Sequence, residues 1–563
     1  MLRFSQNPQE ADKQMKAVIF YLTTFGYIDG DFDASEKTFV REYIAKLVEG
    51  RVHGAIGEDE PELRTELTQK YTTHFHEVFE NIDRQVRELF TESVAEGENQ
   101  TDFVHAKLKL RCFEIFKSFG KEDQDQLLDT VDELIQADGQ VHPAEQKFRS
   151  ELATLLVDDP GIELLEDEAP ARPRVADPEA GPVPSNENHP FFGRVETHYS
   201  GQPYKLATQV KADRALLDRV MGIWDEQRAK GKGRLAGHKT VADFHGQDGF
   251  LDDHVYVLPE KPGVDYELTV LGDLHGCYSV LKAALMQADF LAKVNAYHED
   301  PANNPNPKLV LLGDYIDRGM FSYHGVLRTV LQLFATVPDH VYVLRGNHEY
   351  YVEFKGNIYG GVKPAEAINT LKPHMSIEVF QHYSRMFEKM PTSLLFDKTL
   401  FVHAGIPRDS LIKERWKDLS ALNDPDIRFQ MMWSDPSSAD VIPAVLQEQS
   451  ARFPFGRLQC QAFLRRIGCH TLVRGHEKVE EGFRRTYDDP EQLLITLFSA
   501  GGASNDDLPK ESGYRSVTPM AMTIRHNDGQ SVITPWKVDY ERYNDPEKNA
   551  FFAVAPEIEH RVD

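Results

Sequence analysis

The sequence predicts an α/β unit preceded by an all-α region. Three observations carry that expectation. Residues 1 to about 160 place apolar side chains at helical spacing. Residues 256 to about 545 alternate short aliphatic runs with amphipathic segments, the pattern of strands and helices in turn. Between them, residues 166–190 are rich in Pro, Ala, Glu and Asp, with Pro170, Pro173, Pro178, Pro182 and Pro184 and almost no apolar periodicity. At 563 residues the chain exceeds what one hydrophobic core holds, so two or three domains are expected.

In the first region Met15, Val18, Ile19, Leu22 and Phe25 fall on one helical face, as do Cys112, Phe113 and Phe116. An internal repeat lies here. Asp29-Gly30-Asp31-Phe32 with Glu36 and Phe39 matches Asp138-Gly139-Gln140-Val141 with Glu145 and Phe148, and 138 − 29 and 148 − 39 both equal 109. Each copy reads as a helix ending at Asp-Gly, a turn, and a second helix opened by Ala-Ser-Glu or Pro-Ala-Glu. The copies resemble the helix–turn–helix of TerB-like, tellurite-resistance-associated domains, over about 20 residues each. Asp29, Asp31 and Asp33 alternate like the opening of a calcium loop. Position six is Ala34 where Gly is needed and position twelve is Val40 where Glu is needed, so a solvated acidic turn is the expectation.

The expected boundaries are 1–165 for the helical domain, 166–190 for an extended linker, 191–255 for a lead-in, 256–545 for the α/β domain and 546–563 for an acidic tail. The lead-in carries one expected helix, Leu206 to Gln227, with Val210, Leu217, Val220 and Trp224. The linker makes independent folding of its two neighbours the default. Residues 295–308 are polar, contain three prolines and read as a surface loop. Asn527-Asp528-Gly529 between two alternating runs reads as a hairpin turn.

Composition excludes some partners. Lys and Arg number 63 against 90 Asp and Glu, a formal charge of −27, with a pI near 5.3. Such a surface argues against a nucleic-acid backbone or an anionic membrane as main partner. No apolar run reaches the length of a membrane span, and Met1-Leu2-Arg3-Phe4-Ser5-Gln6 lacks the apolar core of a signal peptide. Cys112, Cys277, Cys460 and Cys469 form no CxxC pair. Reduced thiols in a cytoplasmic location are the expectation.

The chemistry concentrates between Leu271 and Glu349. Gly272-Asp273-Leu274-His275-Gly276, Gly313-Asp314-Tyr315-Ile316-Asp317-Arg318-Gly319 and Arg345-Gly346-Asn347-His348-Glu349 each follow an aliphatic run. Two later strings do the same: His403-Ala404-Gly405 after Thr399 to Val402, and Arg474-Gly475-His476 after Thr471 to Val473. Strand ends are where open α/β sheets place ligands. A dinuclear hydrolytic centre needs two cations about 3.5–4 Å apart and a carboxylate between them. Asp273, His275, Asp314, Asn347, His403 and His476 are a matching set of oxygens and imidazoles. His348 and Asp317 remain for an acid and its orienting carboxylate. Arg318 beside the site and Arg452 farther along remain for holding phosphate oxygens. Taken singly, each string could be a tight turn, a hydrogen-bonded core histidine or a loop ion pair. Five in this order, all at strand ends, are not expected by chance.

GDxHG, GDxxDRG, GNHE, HAG and RGH in this order resemble the metallophosphatases of the phosphoprotein phosphatase (PPP) family, over roughly residues 265 to 505. Met432-Trp433-Ser434-Asp435-Pro436 resembles the WSDP string of its serine/threonine branch. The resemblance implies a calcineurin-like metallophosphoesterase fold: a central β-sandwich flanked by helices. It implies that Asp273, His275 and Asp314 hold one metal and that Asp314 bridges to a second, held by Asn347, His403 and His476. It further implies His348 as general acid, Asp317 as its partner, and Arg318 and Arg452 as phosphate clamps. The cofactors would be two divalent ions, manganese first, with iron or zinc compatible. The implied activity is hydrolysis of phosphoserine or phosphothreonine in a protein substrate by an activated hydroxide. A symmetrical dinucleoside tetraphosphate hydrolase, or another small-molecule phosphohydrolase, shares the first two strings and is the alternative. The helical domain is then expected to bind a protein partner and to take no part in bond cleavage. One departure stands out. Where eukaryotic-type enzymes read Ser-Ala-Pro-Asn-Tyr-Cys, this chain has Ser499-Ala500-Gly501-Gly502-Ala503-Ser504, without the cleft-lining Tyr.

Overall fold

The computed structural model describes residue 4 and residues 8–28, 32–56, 60–90, 94–95, 98–135, 147–151, 172–449 and 452–561. The chain divides into two compact units that are not consecutive in sequence. One comprises Met1–Ile162 together with Ser437–Ser450; the other comprises Glu163–Pro436 and Ala451–Asp563.

The first unit contains the helices Pro8–Gly26, Ala34–Ala55, Pro61–Leu89, Gln100–Lys117 and Lys121–Ile135. Val18, Leu22, Phe79, Phe103, Phe116 and Val131 are fully buried at its centre, on the faces that the 3.6-residue periodicity marks. Asp33 does not point into a calcium loop. It N-caps the second helix, accepting from Ser35 N at 2.7 Å and Glu36 N at 2.8 Å, while Glu36 Oε2 accepts from Asp33 N at 2.9 Å. Asp29 to Asp31 and the second copy from Asp138 to Glu145 lie outside the described residues. The excursion 437–450 belongs to this core: Ile442 and Leu446 are buried in it. Ser437 Oγ donates to Glu114 Oε1 at 2.5 Å and Ser438 N to the same oxygen at 2.9 Å.

The second unit is built on two seven-stranded sheets among its described residues. One runs, in spatial order, 483–489, 492–497, 471–474, 399–402, 393–396, 255–258 and 250–252. The other has 530–537, 520–527, 266–271, 306–311 and 341–343 in order, with the short strands 174–175 and 179–180 on the edge formed by 530–537. The strands Tyr266–Leu271, Asn306–Leu311 and Val341–Val343 are parallel neighbours, and their largely apolar, buried carboxyl-terminal halves are those of strands covered on both faces. One apolar core joins the sheets, with Leu268, Val270 and Val310 from one and Phe401, Val473 and Ile495 from the other. This is the expected sandwich.

Several expectations need correction. Residues 172–190 do not hang free as a linker: Arg174–Val175 and Glu179–Ala180 pair with the Gln530–Lys537 strand, and Ser185 N and Oγ donate to Asp289 Oδ1. Extended, proline-rich backbone suits a sheet edge. The stretch 295–308 is not one loop, because the helix Phe290–Glu299 and the strand Asn306–Leu311 both reach into it. The lead-in helix runs Pro203–Gly231, and its fully buried Trp224 donates from Nε1 to Tyr256 OH at 3.1 Å. The terminal stretch is docked rather than a solvated tail. Phe551 and Ile558 are buried, and Glu557 Oε2 accepts from Gly201 N at 2.7 Å. The Asp528-Gly529 turn has φ of 42° and 73°, as a two-residue hairpin requires.

Candidate metal centre

The strings converge at the carboxyl ends of the strands Tyr266–Leu271, Asn306–Leu311, Val341–Val343, Thr399–Val402 and Thr471–Arg474. Glycines bring the loops close. A Cβ on Gly346 would sit 2.2 Å from Asp314 Oδ1, and one on Gly475 would sit 2.2 Å from Asp273 Oδ1. No side chain is compatible with either approach.

Asp314 stands between two donor groups. His275 Nε2 is 3.5 Å from Asp314 Oδ2 and 3.8 Å from Asp273 Oδ2. On the other side His403 Nε2 is 3.4 Å from Asp314 Oδ1. The Asn347 amide lies 2.9 Å from His403 Nε2 and 3.2 Å from His476 Nδ1, and those two ring nitrogens are 3.2 Å apart. All six expected ligands are therefore brought together, with the Asp314 carboxylate common to both groups.

The donor set fits cations. His275 Nδ1 faces Ile316 O at 3.0 Å and His403 Nδ1 faces Leu312 O at 3.0 Å. Donation to these carbonyls fixes both tautomers and leaves each Nε2 as a lone pair aimed into the centre. Asp273 Oδ2 is buried without a hydrogen-bond partner. Asn347 can turn Nδ2 inward and donate to His403, His476 and Asp314, or turn Oδ1 inward as one more oxygen ligand. Burial pushes Asp273 up to about 7 and His275 down to about 3. The shift at Asp273 opposes the ionised state a ligand needs, and a divalent ion among the donors would reverse it; the shift at His275 keeps the imidazole neutral, as a ligand requires. At His403 burial is overcome by the neighbouring Asp314, which raises it to about 9.

Beside this set, His348 Nδ1 is 2.7 Å from Asp317 Oδ2, and Ala367 N donates to Asp317 Oδ1 at 2.9 Å. His348 Nε2 faces Asp314 Oδ2 at 3.9 Å. Burial lowers His348 to about 4 and raises Asp317 to about 6. Arg452 is brought against His476, its Nη1 on Nε2, and lies 3.7 Å from Asp435 Oδ2. Arg318, expected beside the site as a phosphate clamp, is engaged by Glu366 and Pro364. Its Nη1 donates to both Glu366 oxygens at 2.8–2.9 Å and to Pro364 O at 2.8 Å, because the buried Glu366 carboxylate needs a cation.

Four neighbours support the site: Glu349 and Asp435 lie in quoted strings without an assigned role, and Glu366 and Tyr514 lie outside any string. Glu349 accepts from Asp314 N, Tyr315 N and Gly346 N, locking the loop that presents Asp314. Asp435 binds Arg474 Nη2 at 2.7 Å and so ties the WSDP turn to the strand end before His476. Glu366 holds Arg318. Tyr514 stacks on His275, centroids 5.4 Å apart and rings 15° from parallel, and its hydroxyl interacts with Arg318. Tyr514, ten residues beyond the 499–504 string that lacks a Tyr, thus lies against His275, a placement that no local string signals.

The chain is similar to several known proteins. Residues 266–480 match the family described as calcineurin-like phosphoesterase. The catalytic subunit of serine/threonine-protein phosphatase 6 of Caenorhabditis elegans is 28% identical over 244 residues, 42% of this chain and 65% of that protein. A probable serine/threonine-protein phosphatase of Encephalitozoon cuniculi is 25% identical over 238 residues, 42% of this chain and 47% of that protein. The chain thus spans less than two thirds of the length of either curated relative. Among solved structures, a protein serine/threonine phosphatase from Saccharomyces cerevisiae aligns at 19% identity and a TM-score of 0.37, covering 58% of this chain and 89% of that one. A cold-active protein-tyrosine phosphatase from a Shewanella species aligns at 18% and 0.30, covering 51% and 82%. With the sandwich, the converging strand ends and the family match in agreement, residues 266–480 form a calcineurin-like phosphoesterase domain.

Proposed function

We propose that the protein is a metal-dependent phosphomonoester hydrolase acting on phosphoserine and phosphothreonine in proteins. The observation that carries this reading is Asp314, one carboxylate shared by two histidine-bearing donor groups with a His–Asp dyad beside it. Asp273, His275 and Asp314 would hold one ion; Asp314, Asn347, His403 and His476 would hold the other. Mn²⁺ suits this mixed oxygen and nitrogen set, and Fe or Zn²⁺ are compatible with it. When bound, the ions supply Lewis-acid polarisation of the phosphoryl group and a nucleophilic water acidic enough to ionise near neutral pH.

The residues of the chain do the rest. Arg452 orients phosphate oxygens from the His476 side. Arg318 adds positive charge on the His275 side, tempered by Glu366. His348 carries its proton on Nε2, with Nδ1 held by Asp317, and delivers it to the departing alkoxide. Burial drains that proton from the free imidazole, so the negative charge of an arriving phosphate restores it. The serine/threonine phosphatase names of the relatives and the WSDP turn, which ties Asp435 to Arg474 and Arg452, favour a protein substrate. The helical unit, with its TerB-like repeat, is proposed as a targeting module for a protein partner. Four cysteines that form no disulfide fit a reducing, cytoplasmic setting, and no described helix is long and apolar enough to cross a membrane.

Steady-state kinetics of the Mn²⁺-loaded full chain on a phosphopeptide library beside dinucleoside polyphosphates test the proposal. Preferred turnover of phosphopeptides is expected. Cleavage confined to symmetrical dinucleoside tetraphosphates would replace it with the small-molecule reading.

A further inference from the structure

A second cluster of ligand-type side chains lies far from the candidate centre. Glu260, Asp397 and His526 bring three ligand atoms within 4.8 Å of one another. Each comes from a different part of the sandwich. Glu260 follows the strand Val255–Leu258, Asp397 occupies the turn between Ser393–Phe396 and Thr399–Val402, and His526 is the last residue but one of the strand Met520–Asn527. His526 pairs in register with Tyr266, the first residue of the strand whose other end leads to Asp273. Asp397 precedes the strand that leads to His403. The cluster therefore sits at the end of both sheets opposite the catalytic loops.

His526 is the informative member. It is 1% exposed. Its Nδ1 lies 2.8 Å from Ser531 Oγ, while Nε2 is buried and makes no hydrogen bond. That Nε2 faces Glu260 Oε1 at 3.4 Å. The rings of Phe396 and Tyr266 pack around the imidazole, 5.0 and 6.3 Å between centroids, and fix its direction. Glu260 is itself 7% exposed, and Gly529 N donates to its Oε1. Asp397 is held with φ of 46°, and its N donates to Leu258 O at 3.4 Å. An imidazole nitrogen and two carboxylates converging in a half-dry pocket repel one another unless a cation or a proton lies between them. The surrounding side-chain cations do not enter: Lys261 Nζ is 2.5 Å from Asp248, Lys398 reaches Asp397 with its backbone amide and otherwise acts through its charge, and His245 stands 3.9 Å from Glu260 on the exposed side.

We propose that Glu260, Asp397 and His526 form a separate metal site that takes one divalent ion of the zinc class and staples the two sheets at their non-catalytic end. One nitrogen and two carboxylates match the ligand chemistry of Zn²⁺ and balance its charge, with solvent on the Asp397 side completing the shell. Hydrogen bonding at Nδ1 supplies the outer contact that orients a metal-bound imidazole. The site is structural, since it lies at the wrong end of the strands to touch a substrate bound at Asp314.

The test uses the full-length chain, saturated with Zn²⁺, desalted, and analysed by metal mass spectrometry. His526→Gln and Glu260→Gln are expected to bind roughly one equivalent fewer than wild type, with a cooperative melt and nitrophenyl phosphate turnover within about twofold of wild type. An Asp314→Asn chain, in which the catalytic centre is disabled, should still retain the extra ion, so loss of the catalytic reading leaves this one standing. Equal zinc content in wild type and both variants overturns the proposal. If neither variant folds, a zinc-edge anomalous map of wild-type crystals decides: a peak between the three side chains supports the site, and its absence at saturating zinc overturns it.

Discussion

The helical unit and the sandwich both bury charge, but to opposite ends. In the helical unit each buried carboxylate among the described residues is matched. Glu36 closes a capping box, Asp83 accepts from Tyr27 OH at 2.6 Å and faces Lys37 at 3.6 Å, and Glu114 receives Ser437 and Ser438. In the sandwich Asp273, Asp314, His275, His403 and His476 turn acceptor against acceptor at 3.2–3.8 Å. Satisfied burial fixes an architecture, whereas convergent unsatisfied burial marks a place meant for something else. The two regions therefore predict different kinds of mutational damage.

The largest effect is expected from Asp314→Asn. Losing the shared carboxylate should cut turnover by about 10³-fold or more and lower metal content, while the thermal melt of the metal-free chain changes little. Mass spectrometry showing a fully active wild type without transition metal would break the comparison at its root. Next, His348→Ala should lower kcat on phosphoserine peptide by about 10²–10⁴-fold with both ions retained. Nitrophenyl phosphate, whose leaving group needs no proton, should be far less affected, and equal losses on both substrates would count against an acid role. The geometry alone groups His348 with His275 and Asp314, so retention of metal in this variant is the sharper half of the test.

The helical unit should respond in the other currency. Glu114→Gln weakens the acceptor for Ser437 and Ser438 and should destabilise that unit by about 1–3 kcal/mol, read as a lower Tm in calorimetry, with nitrophenyl phosphate turnover unchanged. A catalytic loss without a change in Tm would mean that matched burial there also serves chemistry. The smallest effect is expected from Tyr514→Phe. Removing one hydroxyl beside Arg318 should reduce kcat/KM on phosphopeptide by roughly threefold to tenfold and leave metal content intact.

What could be read from the sequence follows the range of the forces involved. The strand Thr399–Val402 was legible to the residue, and the hairpin at Asp528-Gly529 to within one residue at each strand end, because turn chemistry and local apolar runs are short-range signals. The six side chains gathered at the centre were legible because each lies in a short string that follows an aliphatic run. Glu366 and Tyr514 were not, since their partners Arg318 and His275 are 48 and more than 200 residues away and no spacing encodes the contact. The terminal stretch looked like a solvated tail because its composition is polar, yet Phe551 and Ile558 suffice to dock it. The capture of 437–450 by the helical unit was equally silent. Ile442 and Leu446 are too short a signal to assign to a core whose other members end nearly 300 residues earlier.

That capture has a consequence for biosynthesis. The helical unit's consecutive part ends at Ile162, but its last piece ends at Ser450, and 450 − 162 = 288 residues must be translated between them. At about 5–20 residues per second the ribosome needs roughly 15–60 s to deliver Ile442 and Leu446. Throughout that interval Glu114 lacks Ser437, and the apolar seat of the excursion stays open while the sandwich is still being made. A chain released or cut before residue 437 would leave that seat permanently unfilled. Completion of the first unit is thus a report that the polypeptide has been extended past Trp433-Ser434-Asp435-Pro436, and the last-arriving segment is the one whose two ends lead into Asp435 and Arg452.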